Sequence, residues 1–182
     1  DYRPSKIAVA DLNNDGNYDY IIKQPAYGID PGMKPDSTGT TYKIEAYLHD
    51  GTFLWQNDLG PGIEPGVWYS PYVVYDFNGD GKAEIAVKTS IETSRNQNGR
   101  ITSGPEYVSI WDGMTGKEIA KEFWPDRSPR FGDYNRINRN QIGIAFLDGK
   151  TPCLLVARGT YILMVLDAYW FTNNKLEKLW HW

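Results

Sequence analysis

Apolar residues in this chain fall in short runs of strand length, and no segment sustains a helical period. Ile7-Ala8-Val9-Ala10 and Tyr18-Asp19-Tyr20-Ile21-Ile22 flank one polar loop. Tyr72-Val73-Val74-Tyr75 and Glu84-Ile85-Ala86-Val87 flank a second. β-branched and aromatic residues in runs of this length predict strands. An altered third copy runs from Gly143-Ile144-Ala145-Phe146 through Asp148-Gly149 to Cys153-Leu154-Leu155-Val156-Ala157. The copies recur about every 65 to 70 residues. A second hairpin is expected in each, over residues 42–56, 107–122 and 161–180, turning at His49-Asp50-Gly51, Gly113-Met114-Thr115-Gly116 and Thr172-Asn173-Asn174. Two hairpins per repeat make a four-stranded unit, and units at a fixed period predict an all-β fold of β-propeller blades. The expected units are 1–60, 61–125 and 126–182, about three blades of a larger propeller. Long polar segments at 24–41 and 90–105 are expected as loops that form binding surfaces.

The two flanked loops share one pattern. Asp11-Leu12-Asn13-Asn14-Asp15-Gly16-Asn17-Tyr18-Asp19 and Asp76-Phe77-Asn78-Gly79-Asp80-Gly81-Lys82-Ala83-Glu84 both read D-x-N-x-D-G-x-x-[DE]. Oxygen donors at positions 1, 3, 5 and 9, with a main-chain carbonyl at 7, suit a hard cation of calcium size. The expected ligands are Asp11, Asn13, Asp15, the Asn17 carbonyl and Asp19, then Asp76, Asn78, Asp80, the Lys82 carbonyl and Glu84. An EF-hand is excluded, because position 12 is Ile22 or Val87 and the flanks are strands. A metal-free Asp/Asn/Gly turn is the alternative. In the third copy Lys150, Thr151 and Pro152 replace the acidic ladder, so no calcium is expected there.

Net charge is −4, and no basic run is present, so nucleic acid is not an expected partner. No apolar stretch reaches membrane-spanning length. A hydrophobic content of 41% excludes a disordered chain. The single cysteine, Cys153, lies in an apolar run and reads as an inert core thiol. Most of the seven Trp and thirteen Tyr are expected in packing. Trp68, Tyr69, Tyr72, Trp124, Tyr134 and Tyr161 lie near loops and are candidates for a carbohydrate-binding face. The apolar strand after each loop ends in a basic residue: Lys23, Lys88 and Arg158. These three are candidate contacts for an acidic substrate, with blade-edge capping or pairing to loop carboxylates as the alternative. Arg130, Arg136 and Arg139 beside Asp133 read as structural ion pairs, and neither His49 nor His181 takes a role from the sequence.

The chain resembles polysaccharide lyase family 11, the rhamnogalacturonan lyases. The resemblance rests on Asp11 through Lys23, Val74 through Thr89, Ser103-Gly104-Pro105-Glu106-Tyr107, Gly132-Asp133, Asn135-Arg136, Phe146-Leu147-Asp148-Gly149 and Ala157-Arg158-Gly159. It implies an eight-bladed calcium-rich propeller, of which this chain is the N-terminal part, packed against the remaining blades of the same protein. It implies a secreted or periplasmic enzyme acting on a pectin-type acidic polysaccharide by β-elimination. The family's sugar-holding Asn and Asp align here with Ser5 and with Gln24-Pro25, a family His aligns with Trp68, and the family's Tyr-Tyr pair becomes Thr160-Tyr161. The scaffold therefore matches better than the substrate pocket, and no catalytic residue is assigned. A non-catalytic calcium propeller that binds glycan or protein, and a lyase on a different acidic glycan, are the competing readings.

Overall fold

A computed structural model describes residues 4–25, 41–63, 66, 68–91, 94–95 and 100–182. Residues 26–40 of the first expected binding loop, and 92–93 and 96–99 of the second, lie outside them.

The fold is all-β, with three four-stranded antiparallel sheets. The first runs β1 (Lys6–Ala10), β2 (Asp19–Gln24), β3 (Lys43–Tyr47) and β4 (Phe53–Asp58), each strand paired with the next. The second holds β5 (Tyr72–Tyr75) and β6 (Glu84–Thr89). The chain then leaves the sheet for a small ribbon, β7 (Ser94–Arg95) with β8 (Ile101–Ser103), where the sequence predicts only loop. It returns as β9 (Tyr107–Asp112) and β10 (Glu118–Phe123), in the order β5-β6-β9-β10. A 3₁₀ turn (Pro129–Phe131) and a one-turn helix, α1 (Tyr134–Ile137), lead to the third sheet. Asp133 caps α1 by accepting from the Arg136 amide at 3.0 Å. The third sheet is β11 (Asn140–Ala145), β12 (Cys153–Thr160), β13 (Leu163–Thr172) and β14 (Lys175–His181). No helix among the described residues is long and apolar enough to cross a membrane.

Alternation along the middle sheet explains how the three sheets stack. Successive residues of a strand point to opposite faces. On β6, Ile85 and Val87 join a core with Leu12, Ile21, Ile44 and Trp55 of the first sheet. Ala86 faces the other way, into a core with Val108, Ile110, Leu154, Val156 and Tyr169. All six residues of β6 are buried. That strand therefore reads as a continuous apolar run, whereas β1, covered on one side, alternates Ala8 and Ala10 inward with Ile7 and Val9 exposed. Trp55 of the first sheet donates its indole N–H to the Gly113 carbonyl of the second at 2.8 Å. Two glycines are demanded by close approach at this seam. A Cβ on Gly113 would overlap the Ala83 carbonyl and crowd Leu12, and a Cβ on Gly81 (φ +91°) would lie 2.6 Å from the Asn14 amide nitrogen.

Candidate functional site

Register places the two kinds of candidate residue at opposite ends of the sheets. In the second sheet Tyr75 pairs with Glu84 at the acidic-loop end, and Thr89 pairs with Tyr107 at the other, next to Lys88. The first sheet repeats this, with Ala10 opposite Asp19 and Lys6 opposite Lys23.

Both acidic loops wrap their first carboxylate in main-chain amides. Asp76 accepts from the amides of Gly79 (2.7 Å), Asp80 (3.1 Å) and Gly81 (2.9 Å). Asp11 does so from Asn14 (2.7 Å), Asp15 (3.2 Å) and Gly16 (2.8 Å). Asp80 and Asp15 each accept from the amide two residues on, at 2.8 Å. The loops differ at position nine. In the second, Asp76, Asp80 and Glu84 each present an oxygen within 4.8 Å of the others. Burial pushes the Glu84 carboxyl up to about 7, and the charges of Asp80 and Asp76 push the same way against the Phe77 amide. Among the described residues, Asp11, Asp15 and Asp19 do not form such a triad. Asp19 is one methylene shorter than Glu84. Its two oxygens accept from the Leu12 amide (2.9 Å) and the His49 amide (2.8 Å), which hold it inward. Three convergent carboxylates, with the Asn78 amide oxygen and the Lys82 carbonyl in the same loop, are a hard-cation donor set, so the second loop fits calcium. The two loops touch, through the Ala83 amide to the Asp11 carbonyl at 2.9 Å. The altered third turn is closed by its own hydrogen bonds. Asp148 accepts from the Lys150 amide (2.8 Å) and from the Thr151 amide and hydroxyl (2.7 Å each), bonds that pull its carboxyl down to about 2, those of Thr151 first.

At the other end the three basic strand termini are buried rather than open. Lys23 is 4% exposed and donates to the Ser70 carbonyl (2.7 Å) and hydroxyl (2.5 Å), with its ammonium over the Tyr42 ring. Burial, then the charges of Lys6 and Lys88, bring its ammonium down to about 7. Lys88 and Arg158 both turn to Glu106. Lys88 pairs with it at 2.5 Å, Arg127 at 2.8 Å, and Arg158 in a tight contact with the other oxygen. Arg158 is fully buried and spends its remaining donors on the Pro125 (2.6 Å) and Ile137 (2.8 Å) carbonyls. Burial alone would raise the Glu106 carboxyl, but Lys88, Arg158 and Arg127 outweigh it and hold it at about 2. A narrow crevice beside Tyr69, Lys88, Glu106, Arg127 and Asn138 reaches this cluster. The geometry thus matches the pairing alternative for Lys88 and Arg158 in this segment, with a partner that the sequence reading did not single out. Glu106 lies in the Ser103–Tyr107 segment that carries the family resemblance, but nothing local in that segment points to a cationic partner. Only the register β6–β9, which sets it one residue beyond the Thr89–Tyr107 pair, shows that it meets Lys88.

The other candidates are mostly structural. Tyr72, Tyr69 and Trp124 are buried, and Tyr161 is exposed. Arg136 pairs with Asp133 at 2.9 Å, and Arg139 lies over the Trp68 ring. Ser5, at one altered pocket position, hydrogen-bonds the Lys23 carbonyl, and Gln24, at the other, donates to Glu45. Cys153 is buried and accepts from the Trp170 indole.

The model for rhamnogalacturonan lyase family 11, C-terminal domain, matches residues 1–182. This chain belongs to rhamnogalacturonan lyase family 11. The matched family model is that of the C-terminal domain, whereas the sequence reading placed the chain in the N-terminal part of the propeller. The chain is 40% identical to the rhamnogalacturonan endolyase YesW and 40% identical to the rhamnogalacturonan exolyase YesX, both of Bacillus subtilis (strain 168), over 98% of its length. It superposes on the crystal structure of YesX with a TM-score of 0.92 over all of this chain and 33% of that one. A Bacillus licheniformis rhamnogalacturonan lyase gives 0.92 at 39% identity. The chain spans about a third of the length of these family-11 relatives.

Proposed function

We propose that this chain is part of a rhamnogalacturonan lyase that cleaves a pectin-type acidic polysaccharide by β-elimination on a calcium-stiffened propeller. The observation that carries the reading is 40% identity along nearly the whole chain to two lyases of that substrate class, joined to a matching fold. The whole protein is the unit that cleaves, since the relatives are about three times as long.

Two features support a larger propeller. Ile7, Val9, Tyr20 and Phe53 are exposed on the first sheet, and Met164, Trp170 and Trp180 on the third. Further sheets of the same protein would cover these faces as the middle sheet is covered here. In the elimination, a base takes the proton at C5 of the uronate and the C4 oxygen leaves. The developing negative charge next to the uronate carboxylate calls for positive charge held in place. Lys23, Lys88 and Arg158 would serve substrate binding from beneath the surface of the cation end, where Lys88 and Arg158, with Arg127, face Glu106. Calcium, held by Asp76, Asn78, Asp80, Lys82 and Glu84 and by the homologous set from Asp11 to Asp19, would neutralise and stiffen the loops at the opposite end. We place the protein outside the cytoplasm, secreted or periplasmic, where its polymer is found.

The test is incubation of the whole protein with rhamnogalacturonan, reading the ultraviolet absorbance of unsaturated uronate. Product that forms, and is reduced by chelation, is the expected result. Hydrolysis without the absorbing product would overturn elimination, and no cleavage of any acidic glycan would favour the glycan-binding reading.

A further inference from the structure

The crevice at the cation cluster lies where β6, the entry to β9 and the residues on either side of α1 meet, and its volume is about 10 Å³. That is room for about one water-sized body. Lys88, Glu106, Arg127 and Asn138 line it, with Ile63 and Ile101 as apolar wall. The charges around it do not balance. Lys88, Arg127 and Arg158 all turn to Glu106, whose carboxylate carries one negative charge. Asp126 also attracts Arg158, but its side chain is exposed and lines a separate cavity. Burial, with the charges of Arg158 and Arg127, brings the Lys88 ammonium down to about 8 against the pull of Glu106. Donors are in surplus as well. The Arg127 Nε–H is buried without an acceptor among the described residues, although Nη1 donates to Asn138 (2.6 Å) and Nη2 to Glu106 (2.8 Å). The Lys88 side chain is 3% exposed, and its ammonium has three N–H bonds to give. Among the described residues it donates one, to Glu106 at 2.5 Å, and otherwise lies over the Trp124 ring at 5.7 Å. Buried donors without partners are costly, and buried charge without a counter-charge is more so.

We propose that this crevice binds a chloride ion, which joins Glu106 as a second counter-ion of the cation cluster. Water is the alternative occupant, and the inventory of donors and acceptors decides between them. A water has two protons of its own to place. The acceptors beside it are already engaged: the Asn138 amide oxygen takes Arg127, and one Glu106 oxygen takes both Lys88 and Arg127. The other Glu106 oxygen takes Arg158. A halide only accepts, so it satisfies the Arg127 Nε–H and the remaining Lys88 N–H bonds without asking for an acceptor in return. It also supplies the negative charge that one carboxylate does not. A spherical ion imposes no bond directions, so donors from two different elements can close on it together. The small volume and the isoleucine wall disfavour a larger oxyanion or the carboxylate of a sugar. Glu106 remains the counter-ion fixed by sequence, and chloride takes up the charge that it leaves. The site does not depend on the proposed lyase activity.

Two measurements on the whole protein test it. Crystals are soaked in bromide, whose anomalous signal tells it from water. Melting temperatures are followed as chloride replaces methanesulfonate at constant ionic strength, which separates a bound ion from general screening. Both are repeated with Arg127→Gln. That side chain is 17% exposed, and Glu106 keeps Lys88 and Arg158 as partners in the variant, so folding is expected. The expected result is a bromide peak within hydrogen-bond reach of Arg127 Nε and a melting temperature that rises with chloride. Arg127→Gln should weaken the chloride affinity about tenfold. A crevice whose water bromide does not replace would overturn the proposal. So would a chloride response equal in parent and variant, or a galacturonate carboxylate seated at Arg127 Nε in place of bromide. Bromide in the crystal with a melting temperature indifferent to chloride would mean an adventitious ion only, and would overturn it too. If Arg127→Gln does not fold, the bromide position and the chloride response of the parent decide the matter alone.

Discussion

At one end of the middle sheet Asp76, Asp80 and Glu84 converge. At the other, Lys88, Arg127 and Arg158 converge on Glu106. Both ends gather like charges, but they resolve the repulsion differently. The cation end carries its counter-ion in the chain, buried and fixed by sequence. The acidic end is wrapped by amide dipoles, and the proposed calcium would complete it from solution. A built-in partner makes an end permanent, whereas a partner drawn from solution makes it responsive. The relative exposure follows: Glu106 and Arg158 are buried, while Asp80 and Asp15 are exposed.

The sharpest way to break this comparison is to remove the built-in partner. Glu106→Gln leaves three cations facing one another in a buried site. Removing one member of a buried ion pair typically costs about 3–5 kcal/mol. Chemical denaturation should show a loss of that order, and adding Lys88→Met to Glu106→Gln should recover part of it. The pH dependence has a definite sign. The Glu106 carboxyl is held at about 2 against an ordinary 4.5. Its stabilisation is therefore complete above about pH 4.5 and is lost as pH falls toward 2. Acid unfolding over that window should be less steep in the Glu106→Gln/Lys88→Met variant. An unchanged acid limb would show that other carboxylates govern it.

The seam joining the two acidic loops comes next in size. Gly113→Ala drives a methyl into the Ala83 carbonyl and Leu12, with main chain on one side and a fully buried side chain on the other. Neither can swing away, so a cost of about 1–3 kcal/mol or more is expected from overpacking. Because Ala83 also donates to the Asp11 carbonyl, the same variant should weaken calcium-dependent stabilisation. Thermal melts with and without calcium measure both effects.

Calcium itself should stabilise by mass action. At a free concentration about 100-fold above the dissociation constant, one site contributes about 2.7 kcal/mol. Chelation should lower the melting temperature, whereas it should leave the Glu106 cluster's acid response in place. A melting curve indifferent to chelator would remove the contrast between the two ends.

The turns of the acidic end were legible in sequence because they are local, whereas the carboxylates converge in the second loop and not in the first. Nine consecutive residues carry the donors and the turn, and the repeat of Asp11–Asp19 at Asp76–Glu84 identifies them without knowledge of the fold. The strand pattern was legible for a similar reason: the three second hairpins turn at 48–52, 113–117 and 173–174, inside the expected spans. The cation end was half legible. Lys23, Lys88 and Arg158 stood out by position, but their partners Ser70 and Glu106 lie 47, 18 and 52 residues away. No local pattern encodes such a meeting, because sheet stacking and register decide it. The small ribbon β7–β8 was missed because strands of two and three residues carry no periodicity.

The smallest expected effect separates the two acidic loops from each other. Their sequences are identical at positions one, three, five and six of the pattern, yet position nine is Asp19 in one and Glu84 in the other. The longer side chain of Glu84 brings a carboxylate oxygen to the cluster while its second oxygen still accepts from the Phe77 amide at 2.9 Å. Asp19 has both oxygens committed to amides, and the His49 ring stands 3.8 Å from Asp15 and 3.9 Å from Asp19. To gather a cation, the first loop must loosen one of those main-chain bonds, beside the His49 ring. In the second loop the Glu84 oxygen at the cluster accepts from the Asn78 side-chain amide at 2.9 Å, a bond that a side-chain rotation releases without moving main chain. Asp80→Asn should therefore take away more of the calcium-induced rise in melting temperature than Asp15→Asn does. His49→Ala should narrow the gap by clearing the ring from beside Asp15 and Asp19. Equal losses from the two Asn variants, with no effect of His49→Ala, would show that the difference at position nine does not govern affinity.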